Sequence, residues 1–146
     1  VRSRRQRQMC IRDRNSKISV LKKSFSLRSR IKSFSYALKG LQILFMEVNF
    51  VIHLFIASLV IGLGAFFQVS QTEWLVLITT IGSVLFAEAI NTSIENLVDL
   101  VSPNYHELAE RCKDVAAMAV LITAMTAIAV GLIIFVPYLT MMIRLE

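Results

Sequence analysis

Apolar residues along the chain are gathered into three long blocks, at residues 49–67, 74–100 and 115–142. A helix needs about 20 residues to cross the hydrocarbon core of a bilayer, and each block is long enough. The pattern therefore predicts an all-α membrane protein with three transmembrane helices, at residues 48–68, 74–101 and 113–140.

The segment before the first block has a different pattern. Residues 24–45 place apolar side chains at many three- and four-residue steps, with lysines and arginines between them. This arrangement predicts a basic amphipathic helix lying in the membrane interface.

Residues 16–146 are then a single membrane domain. Residues 1–15 form a basic tail, which reads either as disordered chain touching anionic lipid or as an artefact of gene prediction.

Charge and composition narrow the class of protein. The chain is 55% hydrophobic, which leaves a soluble domain of this size too little polar surface. The first fourteen residues hold six arginines and one aspartate, so they supply five of the six net positive charges. The high charge is therefore no argument for nucleic-acid binding. Cys10 and Cys112 are expected to be unlinked, reduced thiols, without metal-type spacing.

The distribution of basic residues predicts the orientation. Thirteen lysines and arginines precede Asn49, the first short loop has none, and the second loop has Arg111 and Lys113. Positive-inside counting places the N-terminus and the second loop in the cytoplasm and the C-terminus outside. The first apolar block starts too late and is too long for a cleavable signal peptide.

The second apolar block contains a stripe of polar residues. Glu88, Asn91, Glu95 and Asp99 have offsets of 0, 3, 7 and 11, which place them within about 80° of one another on a helix. A rise of about 1.5 Å per residue puts Glu88 about 21 Å and Glu95 about 32 Å beyond Trp74. Carboxylates at these depths are costly unless they face protein, water or cations. Helix–helix contact through buried polar groups is the alternative.

The loop after this stripe is rich in groups that bind ligands. It reads SPNYHELAERCKD and includes Tyr105, His106, Lys113 and Asp114. A solvated connector explains some of them, but phosphoryl transfer also needs cationic groups and a base. Glu47 is a further acid at the start of the first span, and His53 is expected to be a polar packing residue. The chain has no P-loop, kinase glycine-rich loop or GxGxxG motif.

The run AEAINTSIENLVDLVSPNYHELAERCKD resembles the prokaryotic diacylglycerol kinase and undecaprenol kinase family, with its E-x-x-N-[ST]-[AS]-I-E-x-x-x-D signature and the YHxLA…KD that follows. FSYALKGL upstream and the E-x-N-F-x-I-H-L pattern from Glu47 match as well. Together the resemblance covers residues 32–137. It implies a homotrimer with shared active sites in the bacterial inner membrane, acting as an ATP-dependent lipid kinase with Mg²⁺.

The resemblance also implies roles for individual residues. Glu88 is expected to be the general base on the lipid hydroxyl, with Asn91 beside it, while Glu47 and Glu95 hold Mg²⁺. The nucleotide-binding residues that it implies are Lys32, Tyr36, Asp99, Tyr105, His106, Lys113 and Asp114. Lys39 would line the same edge, with Arg28 or Arg30 in reach of phosphates.

Two features depart from the family pattern. Gram-positive-type members usually carry arginines where Val48 and Val51 stand, and Met118 replaces a common glycine. Three hypotheses follow: a kinase acting on undecaprenol or diacylglycerol, a non-catalytic membrane assembly or cation-handling subunit, and a pseudokinase that lost activity with the arginines. The sequence leaves the acceptor lipid and the preferred nucleotide open.

Overall fold

A computed structural model describes residues 27–144, with side chains from residue 31 onward. These residues form four helices and no strand: α1 (Leu27–Leu44), α2 (Val48–Phe66), α3 (Gln71–Val101) and α4 (Glu107–Ile143). The last three are each long and apolar enough to cross a membrane. The predicted all-α membrane fold with three spans and a preceding helix is confirmed.

Some expectations fall outside the described residues. They concern the basic tail, Cys10, the first residues of the helix predicted at 24–45, and the side chains of Arg28 and Arg30. The chain divides into two units, one ending at Lys39 and the other beginning at Gly40, so the boundary lies inside α1. In the first unit the Lys39 ammonium lies 6.0 Å from the centroid of the Tyr36 ring.

The start of α3 is fixed by local chemistry. Ser70 caps the helix by accepting a hydrogen bond from the Glu73 amide at 3.3 Å, and the Glu73 carboxylate accepts one from the Ser70 amide at 2.7 Å. This reciprocal pair is a capping box, which satisfies two backbone donors at once. The Tyr138 hydroxyl of α4 donates to the same carboxylate at 2.9 Å. The capping box therefore also ties the α2–α3 turn to α4.

A small apolar core lies at this end of the helices. Its buried members are Val69, Leu77, Ile134 and Phe135, from the turn, α3 and α4. Gly64 of α2 makes the packing possible, because a Cβ atom there would lie 3.0 Å from the Trp74 ring. Helices α3 and α4 form the most extensive contact between elements, and α2 packs against α3.

Pro137 lies inside α4 and does not end it. A proline inside a helix usually kinks or ends it, but here the helix continues to Ile143. The Thr140 hydroxyl donates to the Pro137 carbonyl at 2.9 Å, which supplies one local partner in the turn that follows. At its other end α4 begins at Glu107, capped by the His106 ring, which accepts a hydrogen bond from the Leu108 amide.

Candidate active site

The polar stripe of α3 passes from the interior of the unit to its surface. Glu88 is 2% exposed and Asn91 is 5% exposed, as is Thr92 beside it. Glu95 is half-buried, and the Asp99 side chain is 67% exposed. A buried carboxylate is costly without compensating partners, so the burial of Glu88 indicates a functional role for this residue.

Asn91 connects the buried and half-buried parts of the stripe. Its amide nitrogen donates to Glu95 Oε1 at 2.9 Å. Its carbonyl oxygen is buried and has no hydrogen-bond partner. Buried acceptors without a donor are rare in native proteins, and each one invites an explanation such as an ion, a water molecule or a ligand. The arrangement leaves an oxygen beside Glu95 available to a cation or to a hydrogen-bond donor.

Glu47 reaches the same region from α2. It stands at the N-cap of the helix, but its carboxylate makes no capping hydrogen bond. Glu47, Glu95 and His53 all lie within electrostatic reach of Glu88. The first turn of α2 and the middle of α3 therefore bring three carboxylates into one neighbourhood.

The chemistry of these donors suits a hard divalent cation. Carboxylate and amide oxygens are the ligands that Mg²⁺ takes, usually one or two carboxylates together with substrate phosphates. Among the described residues, no three His, Cys, Asp or Glu side chains form a complete metal-binding group. Glu47, Glu95 and the free oxygen of Asn91 thus fit an ion that takes its remaining ligands from phosphates and water.

A polar pocket of about 330 Å³ lies at the turn between α3 and α4. Two of its lining residues form an ion pair: the Lys113 ammonium donates to Asp99 Oδ1 at 2.5 Å, and the Lys113 and Asp99 side chains are 37% and 67% exposed. The pocket is lined by Val98, Asp99, Ser102, Pro103, Asn104, Tyr105, His106, Ala109, Glu110, Lys113 and Asp114. It offers one cation, several acceptors and an aromatic ring.

Tyr105 is held at the rim of this pocket by a hydrogen bond. Its hydroxyl donates to Glu110 Oε2 at 2.7 Å. This hydrogen bond to a carboxylate, with the negative charge of Glu110, raises the pKa of Tyr105 above its ordinary value. The side chain is 81% exposed, which leaves the face of its ring free to contact a flat ligand.

The residues predicted for the site fall into three groups. Glu47, Glu88, Asn91 and Glu95 lie in one neighbourhood, and Asp99, Tyr105, His106, Lys113 and Asp114 line the polar pocket. Lys32 and Tyr36 are exposed on α1 in the first unit. The roles of all these residues stay predictions. Val48 and Val51, which stand where the resemblance implies arginines, are 71% and 44% exposed.

The sequence pattern does not show that His53 lies near Glu88. It lies on the wall of a second, apolar cavity and within electrostatic reach of Glu88. The E-x-N-F-x-I-H-L pattern contains this histidine, but the pattern alone does not say which face of α2 meets α3. Only the packing of the two helices brings His53 to the buried acid.

Comparison with known proteins identifies the family. Residues 35–135 match the family model described as prokaryotic diacylglycerol kinase. A Bacillus subtilis protein named undecaprenol kinase is 38% identical over 109 residues, which cover 74% of this chain and 89% of that protein. A Synechocystis protein named diacylglycerol kinase is 39% identical over 114 residues, 76% of this chain and 65% of that protein's length. The Escherichia coli diacylglycerol kinase is 31% identical over 99 residues, 67% of this chain and 81% of that protein. Because the family model covers most of the chain and these relatives agree with it, the protein belongs to the prokaryotic diacylglycerol kinase family and is a membrane lipid kinase.

Proposed function

We propose that this protein transfers the γ-phosphoryl group of ATP to the hydroxyl of a membrane lipid alcohol, either undecaprenol or diacylglycerol. The proposal is carried by one observation: the most deeply buried acid of the described residues, Glu88, lies on the helix that also leads to a polar, cation-bearing pocket. Eleven residues separate Glu88 from Asp99, or about 16 Å along the helix. Helix α3 therefore extends from the hydrocarbon region of the membrane to the polar pocket.

In the proposed reaction, Glu88 is the general base. Its carboxylate takes the proton of the lipid hydroxyl while the hydroxyl oxygen forms a bond to the γ-phosphorus. The bond between that phosphorus and the bridging oxygen breaks, and ADP leaves. The amide nitrogen of Asn91 orients the Glu95 carboxylate, and the Asn91 carbonyl oxygen lies beside that carboxylate. Such positioning and charge stabilisation supply most of the catalysis in phosphoryl transfer.

Glu47, Glu95 and the Asn91 carbonyl oxygen would hold Mg²⁺, which when bound screens the charge of the phosphates. Lys113 is proposed to contact a phosphate oxygen, after exchanging its partner Asp99 for the ligand. Asp99, Asp114, Tyr105 and His106 would then surround the rest of the nucleotide. Lys32 and Tyr36 are proposed to contact the nucleotide as well, as the family resemblance implies.

The proposed setting is a bacterial inner membrane, with the N-terminus and the α3–α4 turn in the cytoplasm. Basic residues support this orientation, because they concentrate before α2 and in that turn. A homotrimer is proposed for the assembly. The spans support it, because they bury only 11% to 28% of their most apolar stretches inside one chain and so leave surface for neighbouring subunits.

The test is a phosphorylation assay in mixed micelles with radiolabelled ATP, offering diacylglycerol and undecaprenol side by side. Wild-type protein should label one of them. Glu88→Gln should lower the rate by at least about 100-fold, because a general base contributes about 10² to 10⁴. The glutamine keeps the shape of the buried side chain, so the oligomer should remain intact by size-exclusion chromatography. A fully active Glu88→Gln protein would remove Glu88 as the base. Wild-type protein that consumes no ATP with either lipid would favour the cation-handling or pseudokinase hypothesis.

A further inference from the structure

Glu110 lines the polar pocket, but the proposed function gives it no role. It lies in the first turn of α4, where its backbone amide donates a hydrogen bond to the His106 carbonyl at 3.1 Å. The pocket is already lined by the carboxylates of Asp99 and Asp114. Because a nucleotide is an anion, a third carboxylate weakens its binding by charge repulsion. The Glu110 carboxylate therefore needs a function other than contact with phosphates.

The contact that the Glu110 carboxylate makes is with Tyr105. Its Oε2 atom accepts a hydrogen bond from the Tyr105 hydroxyl at 2.7 Å. This length is typical of the strong hydrogen bonds that an ionised acceptor receives. Among the described residues, Glu110 is the only hydrogen-bond partner of the Tyr105 side chain. The hydrogen bond therefore ties the end of the tyrosine ring to α4.

The Tyr105 ring depends on this hydrogen bond for a fixed direction. Tyr105 lies in the non-helical connection at residues 102–106, and its side chain is 81% exposed. Exposed side chains change rotamer within picoseconds to nanoseconds when nothing restrains them. Glu110, in contrast, stands on the regular backbone of α4. A ring that is fixed before a ligand arrives loses less conformational entropy on binding.

The order of side chains along the pocket fits the shape of a nucleotide. On α4, Lys113 follows Glu110 by three residues, so the two are neighbours on the helix surface and Lys113 lies about 4.5 Å further along the axis. Lys113 pairs with Asp99, which belongs to the polar stripe of α3. The Tyr105 ring is therefore at the end of the pocket away from Glu88. Phosphates at Lys113 then point toward Glu88, and the base lies at the turn.

We propose that Glu110 is a positioning residue, which holds the Tyr105 ring as a fixed wall of the pocket so that the purine base of the nucleotide stacks on it. The inference rests on the proposed function, because it requires a nucleotide in this pocket. Stacking depends on the overlap of two flat faces. A purine has two fused rings and so gains more from a fixed tyrosine than a pyrimidine does. Glu110 then acts on nucleotide affinity and on the choice of base.

Glu110→Ala tests the inference by the sign of its effect. Removing a negative charge from a pocket that binds an anion should, by electrostatics alone, lower KM for ATP. If Glu110 positions Tyr105, the variant should instead raise KM for ATP about threefold to tenfold, because stacking is weakened. Its kcat should stay near the wild-type value, since stacking contributes equally to the ground state and the transition state. The mixed-micelle assay over a range of ATP concentrations measures both constants.

Glu107→Ala is the matched control. It also removes an exposed acid from the first turn of α4, but Glu107 pairs with Arg111 and does not line the pocket. This variant should not raise KM for ATP. Any weakening of the start of α4 that follows from the loss of a first-turn acid is common to both variants, so a difference between them reports the contact with Tyr105.

Two further variants test whether Glu110 acts through Tyr105. Glu110→Gln retains an oxygen that accepts the tyrosine hydrogen bond, and it should recover most of the increase in KM. Tyr105→Phe keeps the ring but removes the hydroxyl, and it should raise KM as Glu110→Ala does. Adding Glu110→Ala to Tyr105→Phe should then raise KM no further, because the two residues act as one unit.

The choice of base gives a readout that a purely structural role would not change. The ratio of kcat/KM for ATP to kcat/KM for CTP should favour ATP in the wild-type protein. Glu110→Ala and Tyr105→Phe should lower this ratio about threefold or more, because a mobile ring supports the larger base less well. Glu107→Ala should leave the ratio unchanged.

The outcomes separate this inference from the proposed function. Active wild-type protein whose Glu110→Ala variant has an unchanged or lower KM for ATP overturns the positioning role. An equal increase in KM when Glu110→Ala is added to Tyr105→Phe overturns it as well, since Glu110 then acts without the tyrosine hydroxyl. An ATP-to-CTP ratio that is the same in wild-type and Glu110→Ala protein overturns stacking of the base. Wild-type protein that consumes no ATP overturns the proposed function, and this inference with it.

Discussion

Two exposed ion pairs near the α3–α4 turn have the same N···O distance but differ in their surroundings. Lys113 meets Asp99 and Arg111 meets Glu107, each at 2.5 Å. Only the first pair lines the polar pocket. Because exposed ion pairs contribute about 0 to 1 kcal/mol to stability, neither pair is needed to hold the fold. A special role for Lys113 must therefore appear in ligand binding.

We expect Lys113→Met to raise KM for ATP and lower kcat, with at least about a tenfold loss in kcat/KM, because a phosphate contact is removed in both the ground and the transition state. Arg111→Met is the matched control and should leave both constants near their wild-type values. Steady-state kinetics over a range of ATP concentrations measures the effect, and thermal unfolding in detergent checks that both variants keep their stability. Equal kinetics in the two variants would argue against Lys113 as a phosphate ligand.

At the same scale, the sequence identifies residues on one helix better than residues that meet across helices. Glu88, Asn91 and Glu95 share a stripe because helix periodicity alone determines it, and the structure places them along one face. The neighbourhood of Glu47 and His53 with Glu88 depends on how α2 packs against α3, which periodicity does not encode. The partner of Lys113 could not be predicted from periodicity either, because Asp99 lies fourteen residues away across a turn.

At the scale of elements, the length of the apolar blocks was enough to predict three spanning helices, while the helix ends depended on capping. The sequence predicts a span from residue 74, but α3 begins at Gln71, where the capping box of Ser70 and Glu73 starts the helix. Similarly, α4 begins at Glu107 because His106 caps it, six residues before the predicted span. Hydropathy reports the membrane-crossing part of a helix, and capping groups extend the helix into polar surroundings.

Glycines at two positions of α2 offer a test of how the α2–α3 turn is packed. Gly64 lies against the Trp74 ring, which a Cβ atom added to this glycine would approach to 3.0 Å, whereas Gly62 faces open space. Gly64→Leu should lower stability by about 1 to 3 kcal/mol, the usual cost of overpacking. Gly62→Leu should be neutral or slightly stabilising, because leucine is the better helix former. Thermal unfolding followed by circular dichroism in detergent compares the two variants. Equal unfolding midpoints would mean that the contact with Trp74 does not contribute to stability.

At the scale of the whole molecule, the described part of one chain holds most of the candidate site but not a complete metal-binding group. The spans also bury little of their surface inside one chain, between 11% and 28% of their most apolar stretches. Lipid covers the apolar remainder, but a carboxylate cluster needs protein or cations around it. The low burial of the spans favours an assembly in which neighbouring subunits cover part of this surface, and sites shared between subunits stay a prediction.

Mixing of inactive subunits tests this arrangement. Glu88→Gln subunits, nearly inactive alone, and Lys113→Met subunits, with at most about a tenth of the wild-type kcat/KM, are combined in equal amounts, unfolded and reassembled together. If Glu88 of one subunit works with Lys113 of the next in a symmetric trimer, random assembly leaves about one site in four with both residues intact. Activity should then recover to about a quarter of the wild-type level. If each chain builds its own site, every site keeps one defect and no recovery occurs. Mixing Glu88→Gln subunits with Glu88→Gln subunits bearing a different affinity tag, followed by tandem purification, confirms that subunits exchange. An absence of recovery then excludes sites that pair Glu88 of one subunit with Lys113 of another.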